Sequence, residues 1–445
     1  MGADAPEHRM SDTNEQQAAV TAEEPPALSA SDYARMIARR AKAASARLGA
    51  LPGAVRNQAL AAMAEGLETD QDDIVSANEK DLDAFGTGPE KAAMADRLRL
   101  TPERIRAMAD GIRAVMRLPD PLGGAPRLQR RPNGMQVGKV RVPIGVIGII
   151  YESRPNVTAD SAALCLKSGN ACVLRGGSEA IHSNTTIARI LSEAAQKSNI
   201  PEGAVSFVER TEREVAVALL KQADAIDLII PRGGESLMKT VAEHATIPVI
   251  KHDKGVCHMY LDADADPAMA ERLVINAKAQ RPSTCNALET LLVHERIART
   301  LLPTLVQRLI TAKVDVRGCA RTCQLCPEAK PATESDYGQE FLALILAVKV
   351  VKSMDEAMEH IAAYGSRHTE AIVTNDYPAA MRFLREVDAS AVMVNASTRL
   401  NDGYEFGLGA EIGISTTRLH ARGPMGLEEL TCSKFIVLGS GQIRE

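Results

Sequence analysis

Between Val142 and His244 short apolar runs alternate with longer amphipathic ones, and this alternation constrains the fold more than any other feature of the chain. Apolar runs bounded by turn residues predict strands at 144–150, 171–174, 204–208, 226–230 and 248–250. Helical spacing predicts helices near 158–167, 179–197, 212–222 and 235–244. Successive strand–helix units lay their strands parallel in a doubly wound sheet, and its ligand lies beyond the carboxyl ends of the strands.

Two of those strand ends carry a glycine pair. Leu174-Arg175-Gly176-Gly177-Ser178 and Pro231-Arg232-Gly233-Gly234-Glu235 each put two glycines and an arginine between a strand and a helix N-terminus. Close backbone approach, free N–H groups and a fixed positive charge suit both loops to phosphate. Neither is the G-x-G-x-x-G dinucleotide fingerprint. Gly407-Leu408-Gly409 with Gly413 comes nearer in letter, but no convincing strand precedes it and it is discounted.

Upstream, Ser31-Asp32 caps a helix with apolar positions Met36, Ile37, Ala41 and Ala44, and further helices are expected at 52–69, 70–84 and 101–117. They read as scaffold. Residues 1–28 lack periodicity and are expected to be a disordered leader. Asn133-Gly134 predicts a hairpin whose arms carry Arg130, Arg131, Lys139 and Arg141, either a solvent-facing hairpin or an arm that pairs with another subunit. Past residue 255, helix 267–279, strand 288–293, helix 295–313, a polar loop to about 336, and alternating elements at 342–351, 354–364, 371–374 and 378–387 predict a second α/β domain.

At the centre of that domain lies Gln280-Arg281-Pro282-Ser283-Thr284-Cys285-Asn286. A cysteine is commonly a small buried hydrophobe. Cys285 instead sits on a proline-restricted turn between a helix and a strand, which presents its thiol to a cleft and makes it the candidate nucleophile. Arg281 is suited to hold an anion, and Ser283, Thr284 and Asn286 offer donors to an oxyanion.

Composition narrows the partners. Over 445 residues the net charge is −5, so neither nucleic acid nor an anionic membrane is expected. Aromatics are 3% with no Trp, which leaves no stacking platform and favours small-molecule ligands. The polar first 30 residues do not read as a secretory signal and no apolar run is long enough to span a bilayer, which predicts a cytoplasmic protein whose eight cysteines are reduced thiols. Cys319, Cys323 and Cys326, spaced C-x3-C-x2-C, match an iron–sulfur pattern, yet they follow a helix deep in the second domain with no fourth ligand nearby, and no metal is expected.

The blocks Tyr151-Glu152-Ser153-Arg154-Pro155-Asn156-Val157-Thr158, Ile230-Pro231-Arg232-Gly233-Gly234, Gln280 to Asn286, Val394-Asn395-Ala396-Ser397-Thr398-Arg399 and His420-Ala421-Arg422-Gly423-Pro424-Met425-Gly426 together resemble the gamma-glutamyl phosphate reductases, a branch of the aldehyde dehydrogenase superfamily in proline biosynthesis. The resemblance runs from about residue 29 to the C-terminus. It implies an aldehyde dehydrogenase-like α/β fold: an NADPH-binding domain at 29–126 and 145–254, a catalytic domain at 255–422, and a small β oligomerisation element at 127–144 and 423–445. The activity implied is NADPH-dependent reduction of L-glutamyl 5-phosphate to L-glutamate 5-semialdehyde and phosphate through a Cys285 thioester. Also implied are a homo-oligomer (dimer or tetramer) and transient contact with glutamate 5-kinase.

The resemblance assigns residues as well. Asn156 becomes an oxyanion donor. Arg175, Gly176, Gly177 and Ser178 meet the adenosine ribose and its 2′-phosphate, while Arg232, Gly233 and Gly234 take the pyrophosphate and Glu340 the nicotinamide ribose. Arg281 and Ser283 flank the substrate, and Asn395, Ser397, Thr398 and Arg399 meet its amino acid end. The glutamate that activates water in hydrolytic relatives is matched by His252, which suits an acyl phosphate reductase. Two other readings remain: a non-catalytic partner of glutamate 5-kinase, and a metal or iron–sulfur protein using Cys319, Cys323 and Cys326.

Overall fold

The computed structural model describes residues 1–2, 28–86, 88, 91–152, 154–251 and 254–444, so most of the expected leader, and His252, lie outside the described residues. Two parallel sheets organise the chain. The first places its strands in the order Val205–Phe207, Ala171–Arg175, Val146–Tyr151, Leu228–Arg232, each parallel to its neighbour. Alternate residues serve opposite faces: Ile147, Ile149 and Tyr151 pack with Leu60, Met63 and Leu191, while Val146 and Ile150 pack with Ile37, Ala41 and Leu219. Apolar cores on both faces are the signature of double winding.

Two expected strands move, for physical reasons. The segment 248–250 contributes only a bridge from Val249 to Ile229, because Pro248 has no N–H with which to extend a ladder. The strand expected at 226–230 begins at Leu228, since Ile226 N–H is held by the Gln222 carbonyl of the preceding turn at 2.8 Å. It runs on to Arg232, which pairs with Tyr151. Arg232 is therefore a strand residue rather than part of the loop.

Of the N-terminal helices, Ala30–Leu48 packs on this sheet, while Gly53–Thr69, Gln71–Phe85 and Pro102–Arg117 form an outer layer over helices Asn156–Lys167 and Ile181–Lys197. Ser29, not Ser31, caps the first, accepting from Asp32 N–H at 3.1 Å. A further helix, Ala92–Leu98, was not expected. Buried Asn78 fastens it, donating to Leu98 O at 2.9 Å and accepting from Leu100 N–H at 2.8 Å. Asp81 closes the N-terminus of helix Ile181–Lys197 by accepting from Ser183 N–H at 2.8 Å and His182 N–H at 3.1 Å.

The second sheet has the order Lys330–Pro331, Asp315–Gly318, Ile345–Val351, Leu288–His294, Cys257–Leu261, Thr369–Val373, Ala391–Val394, all parallel. Met259, Leu291 and Val373 face Val274, Leu302 and Leu305, while Tyr260, Leu292 and Ile372 face Ile361 and Phe383. The loop expected up to residue 336 is in fact regular. Asp315–Gly318 alternates half-buried and buried residues at the side of the sheet, and helix Ala320–Leu325 follows.

A third, antiparallel sheet combines Gln129–Arg130, Gln136–Pro143 and Thr431–Leu438. The hairpin stands where expected, with Gly134 N–H donating to Arg131 O at 2.8 Å across the turn and Gly134 at φ 89°. Among the described residues no helix is long and apolar enough to cross a membrane.

Candidate active site

Helix Pro267–Ala279 and strand Leu288–His294 bracket the Cys285 turn, as the sequence predicts. The turn is held from every side. Gly255 lies against its back, where a Cβ would run into the Cys285 carbonyl oxygen. The Cys257 thiol donates to that same oxygen at 3.2 Å. Gly255 N–H donates to Glu340 Oε1 at 2.9 Å, which brings Glu340 beside the turn. Asn286 Nδ2 donates to Asn401 O at 3.0 Å, and Arg399 bonds to Asn286 Oδ1 and to Gln280 Oε1, the latter at 2.9 Å.

These contacts revise the expected oxyanion donors. Thr284 Oγ1 donates within the turn, to Arg281 O at 2.9 Å and Asn286 Oδ1 at 3.0 Å. With Asn286 tied to Asn401, both side chains hold the turn's shape. Ser283 offers its carbonyl to Arg97 Nη2 at 3.3 Å. Asn156 opens helix Asn156–Lys167, solvent-exposed, and donates to Asp160 Oδ2 at 3.0 Å.

Electrostatics around the thiol differ from the expectation built on Arg281. Burial pushes the Cys285 thiol up to about 11; Arg232 and Arg154 pull it down, while Glu340 and Glu411 push it up. Arg281 is exposed, and the groups it acts on are Arg154 and Arg399. Arg154 is brought down to about 10 by burial, then by the charges of Arg232, Arg97 and Arg281. Arg154 nonetheless keeps an exposed surface. Arg399 is lowered by burial and by Arg281. A crowd of guanidiniums around a half-buried thiol suits an anionic substrate.

Arg232, expected at a cofactor pyrophosphate, has its guanidinium on the thiol side, filling the space that glycine leaves open at Gly413 and acting on Cys285, Asp160 and Glu411. The neighbouring Gly234 N–H is taken by Glu152 Oε2 at 2.9 Å. A carboxylate thus sits where a phosphate was expected, at the start of helix Glu235–His244.

The other glycine pair fits a dinucleotide better. Arg175 Nη2 donates to Thr211 O at 3.0 Å, but its buried Nε has no partner, and Ser178 is exposed beside it. An orphaned guanidinium N–H at the carboxyl end of a parallel strand matches a ribose or its phosphate.

The residues expected at the amino acid end separate. Asn395, at φ 55°, uses its amide on Thr374, accepting from its N–H and donating to its carbonyl, both at 2.9 Å. It locks two strand ends together. Thr398 is fully buried, and Ser397, 4% exposed, accepts from Arg399 N–H at 3.4 Å. Of this group Arg399 alone acts on the thiol. Sequence reasoning missed Arg97, Glu411 and Glu152 as site residues, and left Arg154 without a role inside a block it had singled out.

Cys319, Cys323 and Cys326 do not gather on a common ligand. Cys319 Sγ accepts from Val350 N–H at 3.4 Å, Cys323 Sγ donates to Gly318 O at 3.4 Å, and Cys326 is buried in the core. Among the described residues no group of His, Cys, Asp and Glu is placed to hold a metal ion.

Two stacked α/β lobes with a cysteine turn between them define the aldehyde dehydrogenase class, and residues 3–337 match the aldehyde dehydrogenase family. The chain belongs to that family. It is 56% identical over 411 residues to gamma-glutamyl phosphate reductase from Geobacter metallireducens, covering 92% of this chain and 98% of that protein. It is 54% identical over 408 residues to the Thermodesulfovibrio yellowstonii protein of that name, covering 92% of this chain and 98% of that one. The crystal structure of gamma-glutamyl phosphate reductase from Thermotoga maritima matches with a TM-score of 0.90 at 45% identity, over 93% of this chain and 100% of that one. An acetylating aldehyde dehydrogenase from Geobacillus thermoglucosidasius shares the fold, with a TM-score of 0.67 at 19% identity over 94% of this chain and 98% of that one. Within the aldehyde dehydrogenases, this chain belongs with the gamma-glutamyl phosphate reductases.

Proposed function

We propose that this protein reduces L-glutamyl 5-phosphate to L-glutamate 5-semialdehyde and phosphate, the step of proline biosynthesis that follows phosphorylation of glutamate. The observation that carries this reading is the Cys285 thiol under Arg154 and Arg232, in a chain 56% identical to a protein named for this activity. Cys285 attacks the acyl carbon as thiolate, the carbon–oxygen bond to phosphate breaks, and a thioester remains on the enzyme. NADPH, when bound, supplies the hydride that reduces it. The tetrahedral adduct on Cys285 then breaks its carbon–sulfur bond, releasing the aldehyde and returning the Cys285 thiolate.

At rest the thiol is overwhelmingly protonated, with roughly one site in ten thousand ionised at neutral pH given a pKa near 11. Arg232 and Arg154 favour its anion, so they are the residues that activate it. Arg175, Gly176, Gly177 and Ser178 are proposed to hold the adenosine side of NADPH, Gly233 and Gly234 its pyrophosphate once Glu152 yields, and Glu340 its nicotinamide ribose. The lobe at 29–126 and 145–254 is proposed as the cofactor domain and the lobe at 255–422 as the catalytic one.

The β element at 127–144 and 423–445 is proposed to assemble copies of the chain into a dimer or tetramer. Strand Thr431–Leu438 leaves one side unpaired, with Phe435, Val437 and Leu438 at 66%, 54% and 54% exposure, an edge suited to strand pairing. A cytoplasmic location and transient contact with a glutamate 5-kinase, which would shelter the labile acyl phosphate, complete the reading. The test is the reverse reaction, NADP-dependent oxidation of the semialdehyde with and without inorganic phosphate. Wild type is expected to require phosphate, and Cys285→Ala to be inactive; turnover by the variant, or phosphate-independent turnover by wild type, overturns the reading.

A further inference from the structure

The guanidiniums around the thiol are not equally balanced. Arg232 has Asp160 and Glu411 within charge range, and Arg399 has Asp402 together with its bonds to Gln280 and Asn286. Among the described residues, Arg97, Arg154 and Arg281 join no ion pair. The charges acting on Arg154 are three other guanidiniums and the thiol. Arg97 is aimed at the turn by its bond to Ser283 O at 3.3 Å, and buried Asn78 grips Leu98 and Leu100 on its C-terminal side.

We propose that Arg97 and Arg154, joined by Arg281, form the receptor for the phosphoryl group of the acyl phosphate and for inorganic phosphate in the reverse direction. The assignment rests on the function proposed above. A phosphate dianion settles where positive charge is unbalanced, and guanidiniums meet its oxygens with paired donors. When the Cys285 sulfur bonds to the acyl carbon, the carbon–oxygen bond breaks and its electron pair leaves on a phosphate oxygen. That oxygen starts one carbon away from the sulfur, and Arg154 is charge-coupled to the sulfur. In reverse, a phosphate oxygen attacks the thioester carbon and the thiolate leaves. Arg97 and Arg154 belong to the first lobe, whereas Arg281 and Cys285 belong to the second. An anion held by all three therefore bridges the two lobes and offsets the repulsion among their guanidiniums.

The test uses the full-length enzyme with Arg97→Met, Arg154→Met and Arg97→Lys, each checked for an unchanged melting midpoint. In the reverse assay, KM for phosphate is expected to rise about ten- to hundredfold in the Met variants, the range carried by a charge-assisted hydrogen bond, and less in Arg97→Lys. KM for NADP is expected to stay within about twofold. A second readout needs no turnover: inorganic phosphate, against chloride at equal ionic strength, is expected to slow iodoacetamide labelling of Cys285 in wild type and not in the Met variants. Loss of that protection supports the receptor even if the semialdehyde is not the substrate. Protection persisting in both Met variants, or absent from wild type, overturns it, as does an unchanged phosphate KM in folded variants.

Discussion

Lys278 Nζ lies 2.6 Å from Glu289 Oε2, and neither side chain has any exposed surface. Glu289 also accepts from Leu342 N–H at 3.3 Å, so this buried pair ties the end of the helix before the Cys285 turn to the segment that carries Glu340. Removing one partner strands a buried charge. Lys278→Met alone is expected to cost about 3–5 kcal/mol, and the double change Lys278→Met, Glu289→Leu to recover most of it. Urea midpoints of the three proteins decide the matter; a double variant no more stable than the single one contradicts this account.

Cys285 labelling by iodoacetamide is expected to climb about tenfold per pH unit from pH 7 to 10, because the thiol titrates near 11 and the thiolate alone reacts. Taking away a cation that favours the anion raises the pKa further. Arg232→Met is therefore expected to label more slowly than wild type at each pH below 10. Faster labelling of this variant would mean that the guanidinium does not face the sulfur.

Glu152 competes for the N–H of Gly234. Glu152→Ala is expected to bind NADPH about three- to tenfold more tightly, because a pyrophosphate then meets a free helix N-terminus. The same change removes a favourable anion from that helix and is expected to lower cofactor-free stability by about 0.3–1 kcal/mol. Titration calorimetry and a thermal melt read the two effects separately, and weaker cofactor binding would remove Gly234 from the pyrophosphate site.

Burial pushes the Glu411 carboxyl up to about 7 from an ordinary value of 4.5, with Arg232 pulling it down and Asp402 pushing it up. Between those values the folded chain holds a proton that the unfolded chain has lost. Stability contributed by this group is therefore full below about pH 4.5 and falls as pH rises toward 7. Glu411→Gln is expected to flatten that decline by at most about 3 kcal/mol. Denaturation midpoints at pH 5 and pH 8 measure it; equal slopes in both proteins would place Glu411 in solvent.

Most strands of the two parallel sheets were legible because strand and helix periodicities are local properties of the chain, the side strands Asp315–Gly318 and Lys330–Pro331 excepted, and Cys285 stood out because proline and small polar residues mark its turn. What was not legible depends on distant segments. Arg97 lies on a seven-residue helix whose position is set by Asn78, across the helical layer. Arg232 was assigned to cofactor because a glycine pair follows it; moving the strand by two residues made it part of the ladder and turned its guanidinium to the thiol. The glycines from 403 to 413 carried a meaning that no local pattern shows, since Gly413 makes room for Arg232 and Gly403 N–H donates to Glu411 at 3.0 Å. Asn395 looked like a ligand contact because its polar partner, Thr374, lies just past the end of another strand.

The Cys285 turn draws its supports from residues 97, 255, 340 and 399–401. Synthesis delivers these parts in order, and the last of them emerge when nearly the whole chain has been made. Until then the nascent polypeptide carries a Cys285 turn whose Asn286 still lacks Arg399 and the Asn401 carbonyl that hold it. Chemical competence is thus a late event in the life of each molecule, and on refolding from denaturant the return of activity is expected to trail the return of helical signal.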